Sequence, residues 1–153
     1  VLSGGKSSRL YKKLVDDKKM AMQVSAFNYS QEDYGMYFFM AIPMPGFTRD
    51  QIQKEIDAEI FTIQNELISE RDYQKLQNEF ENNYVNSNSN LESLAENLAT
   101  YHLLYGDINL INEEIKIYQS ITREEIRDVA KKYLQPNARL LLDYIPVKEE
   151  AAN

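Results

Sequence analysis

Few side chains in this sequence are placed to make or break bonds. There is a single histidine, His102, and no cysteine. A catalytic zinc ordinarily takes three protein ligands, mostly imidazoles with a carboxylate, and one histidine does not make such a centre. Flanked by Tyr101 and Leu103 in an apolar helical stretch, His102 reads as a partly buried structural residue. Glu92 and Glu96 share a helix face at i, i+4, but without a second nitrogen ligand they read as a polar surface. Ser7 and Ser8 follow glycines, yet no G-x-S-x-G turn raises either one into a nucleophile's position, and one distant histidine does not establish a triad. The run Gly4-Gly5-Lys6-Ser7-Ser8 superficially resembles a phosphate loop. Its first glycine is too close to the Lys-Ser pair for the longer turn that wraps a phosphate, so ATP binding is not expected. Without cysteine, disulfides and thiolate catalysis are excluded too, while the redox compartment stays open.

Composition narrows the classes further. A chain of 153 residues that is 43% hydrophobic can bury one core and is expected to form one domain or most of one. The formal charge of -7 weighs against nucleic acid, because phosphate binding relies on clustered lysines and arginines. Lys12, Lys13, Lys18 and Lys19 are interrupted by Asp16 and Asp17 and read as a solvated helix face. No stretch is apolar for long enough to span a membrane, and no signal-peptide pattern is present. Cytoplasmic and exported or periplasmic locations of the parent both remain open. The first residue is not methionine and the opening already reads as a turn and helix start, so removal of an upstream segment is expected.

The elements that would position any site follow from period and punctuation. Gly4 and Gly5 predict a tight turn, Ser7 or Ser8 a cap, and Leu10, Leu14 and Tyr11 the inner face of a helix ending near Lys18. The period then changes. Met22, Val24, Ala26 and Asn28 alternate with Gln23, Ser25, Phe27 and Tyr29, and a second apolar run spans Tyr34 to Ile42, predicting an antiparallel hairpin joined through Ser30 to Asp33. Thr48 to Gln51 is a capping box before Ile52, Ile56, Ile60, Ile63 and Leu67 at helical spacing. Ser69 and Asn90 are set to cap two further helices, with the polar Asn86 to Asn90 run as the turn between them. A helix follows from Ile111 to Tyr118. Thr122 to Glu125 is a second capping box, opening a helix with Ile126, Val129, Ala130 and Tyr133 inward and a stop at Pro136. Arg139 to Ile145 is apolar enough for a closing strand. The order predicts an α+β fold, an antiparallel sheet with helices packed on one face.

Taken together, the opening Ser3 to Tyr11, the Tyr105-Gly106-Asp107 turn and the Ile121 to Pro136 segment resemble, in order and spacing, the C-terminal part of a pitrilysin/insulinase-type domain. That family includes the mitochondrial processing peptidases, and the resemblance extends from Val1 to Pro146. It implies that residues 1–146 are most of one metallohydrolase-like, processing-peptidase-like domain truncated at its N-terminus, with 147–153 a tail. Peptidases of the family are zinc enzymes with an inverted H-x-x-E-H motif, which this chain lacks. The resemblance therefore implies a noncatalytic part, with no cofactor of its own and with zinc in an N-terminal half of the same parent chain. It further implies that this half, a peptide substrate and a companion subunit are the partners.

In the family the glycine-containing turn lies near bound peptide. The resemblance thus makes Gly4, Gly5, Lys6 and Arg9 the substrate-binding candidates. Each has a structural alternative: the glycines turn the chain, Lys6 is solvated, and Arg9 pairs with a nearby carboxylate. Many relatives place an arginine on the first helix and a tyrosine at the start of the next strand, donors that stabilise developing negative charge. Here the matching positions hold Val15 and Met22, neither of which donates. Two readings follow. Either the parent is a catalytic subunit whose companion supplies both donors, or it is a degenerate interaction and assembly module without proteolysis.

Overall fold

The computed structural model describes residues 1–145. A short helix α1 (Arg9–Tyr11) runs directly into a π-helical segment (Lys12–Asp17), followed by β1 (Ala21–Ser30), β2 (Gly35–Pro43), α2 (Arg49–Asn65), α3 (Glu70–Ser87), α4 (Leu91–Tyr105), α5 (Leu110–Ser120) and α6 (Arg123–Tyr133). The π segment is wound with i→i+5 bonds, as in Lys18 N–H to Lys13 O at 3.0 Å, and it ends at Lys19 with φ 50°, where Met20 N–H returns to Leu14 O at 2.8 Å. This left-handed closure satisfies carbonyls that the helix end would otherwise leave bare.

β1 and β2 form a two-stranded antiparallel sheet. Val24 and Ala26 are buried on its inner face, opposite Ala41 and Phe39. They join Leu2, Leu10, Leu14, Met20, Ala21, Ile52, Ile63 and Ala130 in one aliphatic core. Leu10 and Leu14, four residues apart on one helical face, are both 0% exposed. Phe27 and Phe38 stack on the opposite, outer face with ring centroids 5.3 Å apart, beside exposed Met36 and Met40.

Both capping boxes form. Thr48 Oγ1 accepts from Gln51 N–H and Thr122 Oγ1 from Glu125 N–H, while each N3 side chain accepts from its cap's N–H at 2.8 and 2.7 Å respectively. Ser69 and Asn90 cap α3 and α4 through Asp72 N–H and Ser93 N–H. α6 lies against α2, where Gln64 Nε2 donates to Ala130 O at 3.2 Å and Leu134 O at 3.0 Å. The α3–α5 layer is joined differently, through Phe80 stacked on Tyr118 at 3.7 Å and through Tyr73 Oη–H donating to Ile121 O at 2.7 Å.

Several expectations are corrected. Leu67 is exposed and Ile68 takes the buried place, because α2 ends at Asn65 and the chain leaves the helical register. Val129 and Tyr133 are exposed, since α6 turns only its Ile126 and Ala130 side toward its neighbours. His102 is exposed on α4 rather than partly buried. Arg139 to Ile145 is not a strand: no described strand edge pairs with it, and the segment is held to α2 by ion pairs, Arg139 with Asp57 and Asp143 with Arg49. The end of that segment at Pro146 and the tail beyond it lie outside the described residues.

Met22 is the most instructive correction. Alternation places it inward with Val24 and Ala26, but a β-bulge between Ala21 and Gln23 makes it the extra residue of the ladder. Ala21 therefore enters the core, and Met22 is turned out to 57% exposure.

Candidate functional site

The site is built around the opening turn. Leu2 is buried and accepts a hydrogen bond from Leu10 N–H at 3.1 Å, so the chain before the turn is pinned to α1. The turn closes with Ser8 N–H donating to Gly5 O at 3.1 Å. Gly5 sits at φ +90°, where side chains are strained, although a Cβ there would meet nothing within 4 Å. Glycine is thus required by backbone shape, and the space beside it is open. Gly4 carries no such demand: its Cβ would make ordinary contact with Glu79 at 3.7 Å.

The four candidate residues divide between two sides of this turn. Gly5 and Lys6, with Ser3, border a groove of about 380 Å³ whose other wall is Tyr11 and the start of β1 from Met22 to Ser25. Gly4 and Arg9 lie on the opposite side, against α3, where a cavity of about 30 Å³ has room for water but not for a peptide side chain. Arg9 Nη2 is there 3.5 Å from Asp72 Oδ2, so this guanidinium already has a carboxylate partner. The geometry brings Gly5 and Lys6 together and separates them from Gly4 and Arg9.

Four consecutive residues of β1 line the groove. Successive side chains of a strand point to opposite faces, so the strand's edge, rather than one of its faces, borders the space. β2 pairs with the other edge of β1, and among the described residues no strand pairs with this one. Reading the residues alone missed Ser3, Tyr11, Gln23 and Ser25. Their signal was the return of the chain, after one short helix, to an extended segment beside the turn.

The π segment that follows Tyr11 is tied to α2 by ion pairs. Lys13 Nζ lies 2.8 Å from Glu59 Oε1 and 3.3 Å from Glu55 Oε2, and Lys18 Nζ reaches Glu55 Oε1 at 2.5 Å, tying the π segment to α2. Burial opposes the Lys13 charge, but hydrogen bonds and charge from Glu59 and Glu55 outweigh it and raise its pKa. The Lys18 hydrogen bond is the main cause that lowers the Glu55 pKa. Val15 is half-buried against the core, so it offers the groove no polar group.

Bond-making machinery does not assemble here. Lys75 Nζ donates to Ser7 Oγ, but both side chains are exposed, and nothing desolvates the amine as a Ser–Lys nucleophile requires. Among the described residues no three His, Cys, Asp or Glu side chains converge as a metal-binding group. The residues of this chain do not fit a catalytic zinc.

The site is thus a groove bordered by a glycine turn and a strand edge on an α+β scaffold. The chain belongs to the family described as the peptidase M16 inactive domain, which matches residues 1–80. It is similar to the zinc protease PqqE of Helicobacter pylori, 27% identical over 137 residues, covering 88% of this chain and 30% of that protein. The chain thus spans under a third of the length of this relative. A protease from Helicobacter pylori shares the fold with a TM-score of 0.80 at 24% identity, over 88% of this chain and 32% of the other. The inactive peptidase domain of a proposed zinc protease from Bordetella parapertussis does so with a TM-score of 0.83 at 22% identity, over 96% and 78%. The domain is the inactive, C-terminal-type half of the M16 architecture.

Proposed function

We propose that this domain holds an extended peptide against the free edge of β1, beneath the Gly4–Gly5 turn, and forms one wall of the chamber of a zinc endopeptidase-like parent. The carrying observation is the 380 Å³ groove bordered by a strand edge. Backbone N–H and C=O groups on such an edge pair with any extended chain, which suits the handling of varied unfolded peptides. Zinc and its chemistry belong to an N-terminal half of the parent, in line with the zinc-protease names of its relatives. Because Val15 and Met22 offer no hydrogen-bond donors, a companion subunit supplies the groups that steady the tetrahedral intermediate.

A photo-crosslinking amino acid at Gln23 tests the peptide site directly. An unfolded peptide is expected to crosslink there and not from Asn97 on α4. Equal crosslinking at the two positions would sink the proposal. For the parent, the expectation is an H-x-x-E-H motif and weak activity alone that rises with the companion; full activity without a companion would refute the division of labour.

A further inference from the structure

The proposed peptide groove has a chemical character opposite to that of the molecule that carries it. The chain has a formal charge of -7, yet the groove lining contains no carboxylate and one cation, Lys6. Lys6 is exposed, and among the described residues it forms no ion pair, unlike Lys13 and Lys18, which are both engaged by α2. Charges more than about 8 Å apart are largely screened at physiological ionic strength. A peptide lying in the groove therefore responds to Lys6 more than to the acidic surface at large.

The remaining lining divides into an apolar wall and a polar rim. Tyr11 and Met22 supply the apolar contact, and Met22 reaches it only because the bulge turns it out of the core. Methionine is unbranched and polarizable, so it adapts to apolar side chains of different shapes. The rim hydroxyls of Ser3 and Ser25 and the amide of Gln23 can pair with peptide backbone without favouring a charge.

We infer that the groove prefers an extended peptide with a large apolar side chain beside an acidic one, the apolar group against Met22 and the carboxylate toward Lys6. This rests on the peptide-site reading above and adds the substrate class to it. A basic residue at the second position would meet Lys6 as a like charge, and a small polar residue at the first would leave Met22 wet.

Fluorescent octapeptides that differ only at their centre, Leu-Asp, Leu-Lys or Ser-Asp, titrated by polarization with the purified chain, test it. Leu-Asp is expected to bind about threefold to tenfold tighter than Leu-Lys at low salt, with the gap narrowing as salt is added. Ser-Asp should bind more weakly than Leu-Asp. Lys6→Glu should reverse the Asp/Lys order, and Lys6→Gln should erase it while the leucine preference survives. Equal binding of Leu-Asp and Leu-Lys, or an unchanged order in Lys6→Glu, overturns the preference and leaves the peptide site standing. No binding of any peptide, or affinity untouched by Met22→Lys, overturns the peptide site itself and the preference with it. Lys6 is an exposed turn residue, so its variants are expected to fold as the parent chain does.

Discussion

The two halves of this molecule are held together by different physics. The turn, α1, the hairpin, α2 and α6 surround an aliphatic core in which Leu10 and Leu14 are 0% exposed. The α3–α5 layer has one buried hydrophobic side chain, Ile111, and relies on half-buried aromatic rings and on tyrosine hydroxyls bonded to backbone carbonyls. Leu91 and Leu103 stand at 85% and 81% exposure in this layer. The proposed groove lies wholly in the first half, where dense packing fixes the turn and the strand edge relative to each other. A peptide site needs that rigidity, because ordering a loose strand on binding would consume much of the affinity gained.

The contrast predicts a steep difference in sensitivity. Leu14→Ala is expected to cost about 2–5 kcal/mol, since a fully packed side chain leaves a cavity behind. Leu103→Ala should change stability by no more than about 0.5 kcal/mol. Urea unfolding of the two variants measures both, and comparable losses would break the division. Phe80→Ala probes the second half. Loss of its stack on Tyr118 at 3.7 Å should cost about 2 kcal/mol, less than a core phenylalanine because both rings are partly wet. Hydrogen exchange would sharpen the comparison further. The variant should lose protection in α3 and α5 well before α1 and α2, and uniform loss across the chain would show a single cooperative unit.

A smaller effect belongs to the ion pairs between the π segment and α2. The Glu55 pKa is lowered in the folded protein, chiefly by the Lys18 hydrogen bond. Its contribution is therefore fully present above the unfolded carboxylate value of 4.5 and is lost as pH falls through the lower folded value. Lys13 behaves in the opposite sense: its pKa is raised, so its contribution persists below 10.5 and disappears only as pH rises through the folded value. Melting temperature should drop between about pH 5 and pH 3. Glu55→Gln should make that drop shallower, and its cost at neutral pH should be under about 1 kcal/mol, given its solvent-screened partners. An unchanged acid slope in Glu55→Gln would show that the Lys18–Glu55 contact does not persist in solution.

Local signals made much of the fold legible in the sequence. Thr48 and Thr122 announced α2 and α6 because a capping box satisfies its orphan N–H groups within four residues, whatever the rest of the chain does. Leu10 and Leu14 announced a buried face through spacing alone. Gly5 was legible in the same way, since its φ of +90° is a property of one backbone position. The side on which Lys6 and Arg9 would lie was not legible. It depends on α3 arriving beside the turn with Asp72, a residue 63 positions away from Arg9.

The same boundary separates the two strand readings. The hairpin was determined by sequence because its partners are adjacent and joined by a short turn, whereas Arg139 to Ile145 had strand composition but found no described edge to pair with. A strand is completed by hydrogen bonds from another segment, and composition cannot supply that segment. Met22 lies on this boundary too. Alternation alone put its side chain in the core, and only the pairing of β1 with β2, which inserts a bulge after Ala21, turned it into the groove. One extra residue in a ladder exchanges the two faces of a strand, so its outward position was decided by the tertiary structure.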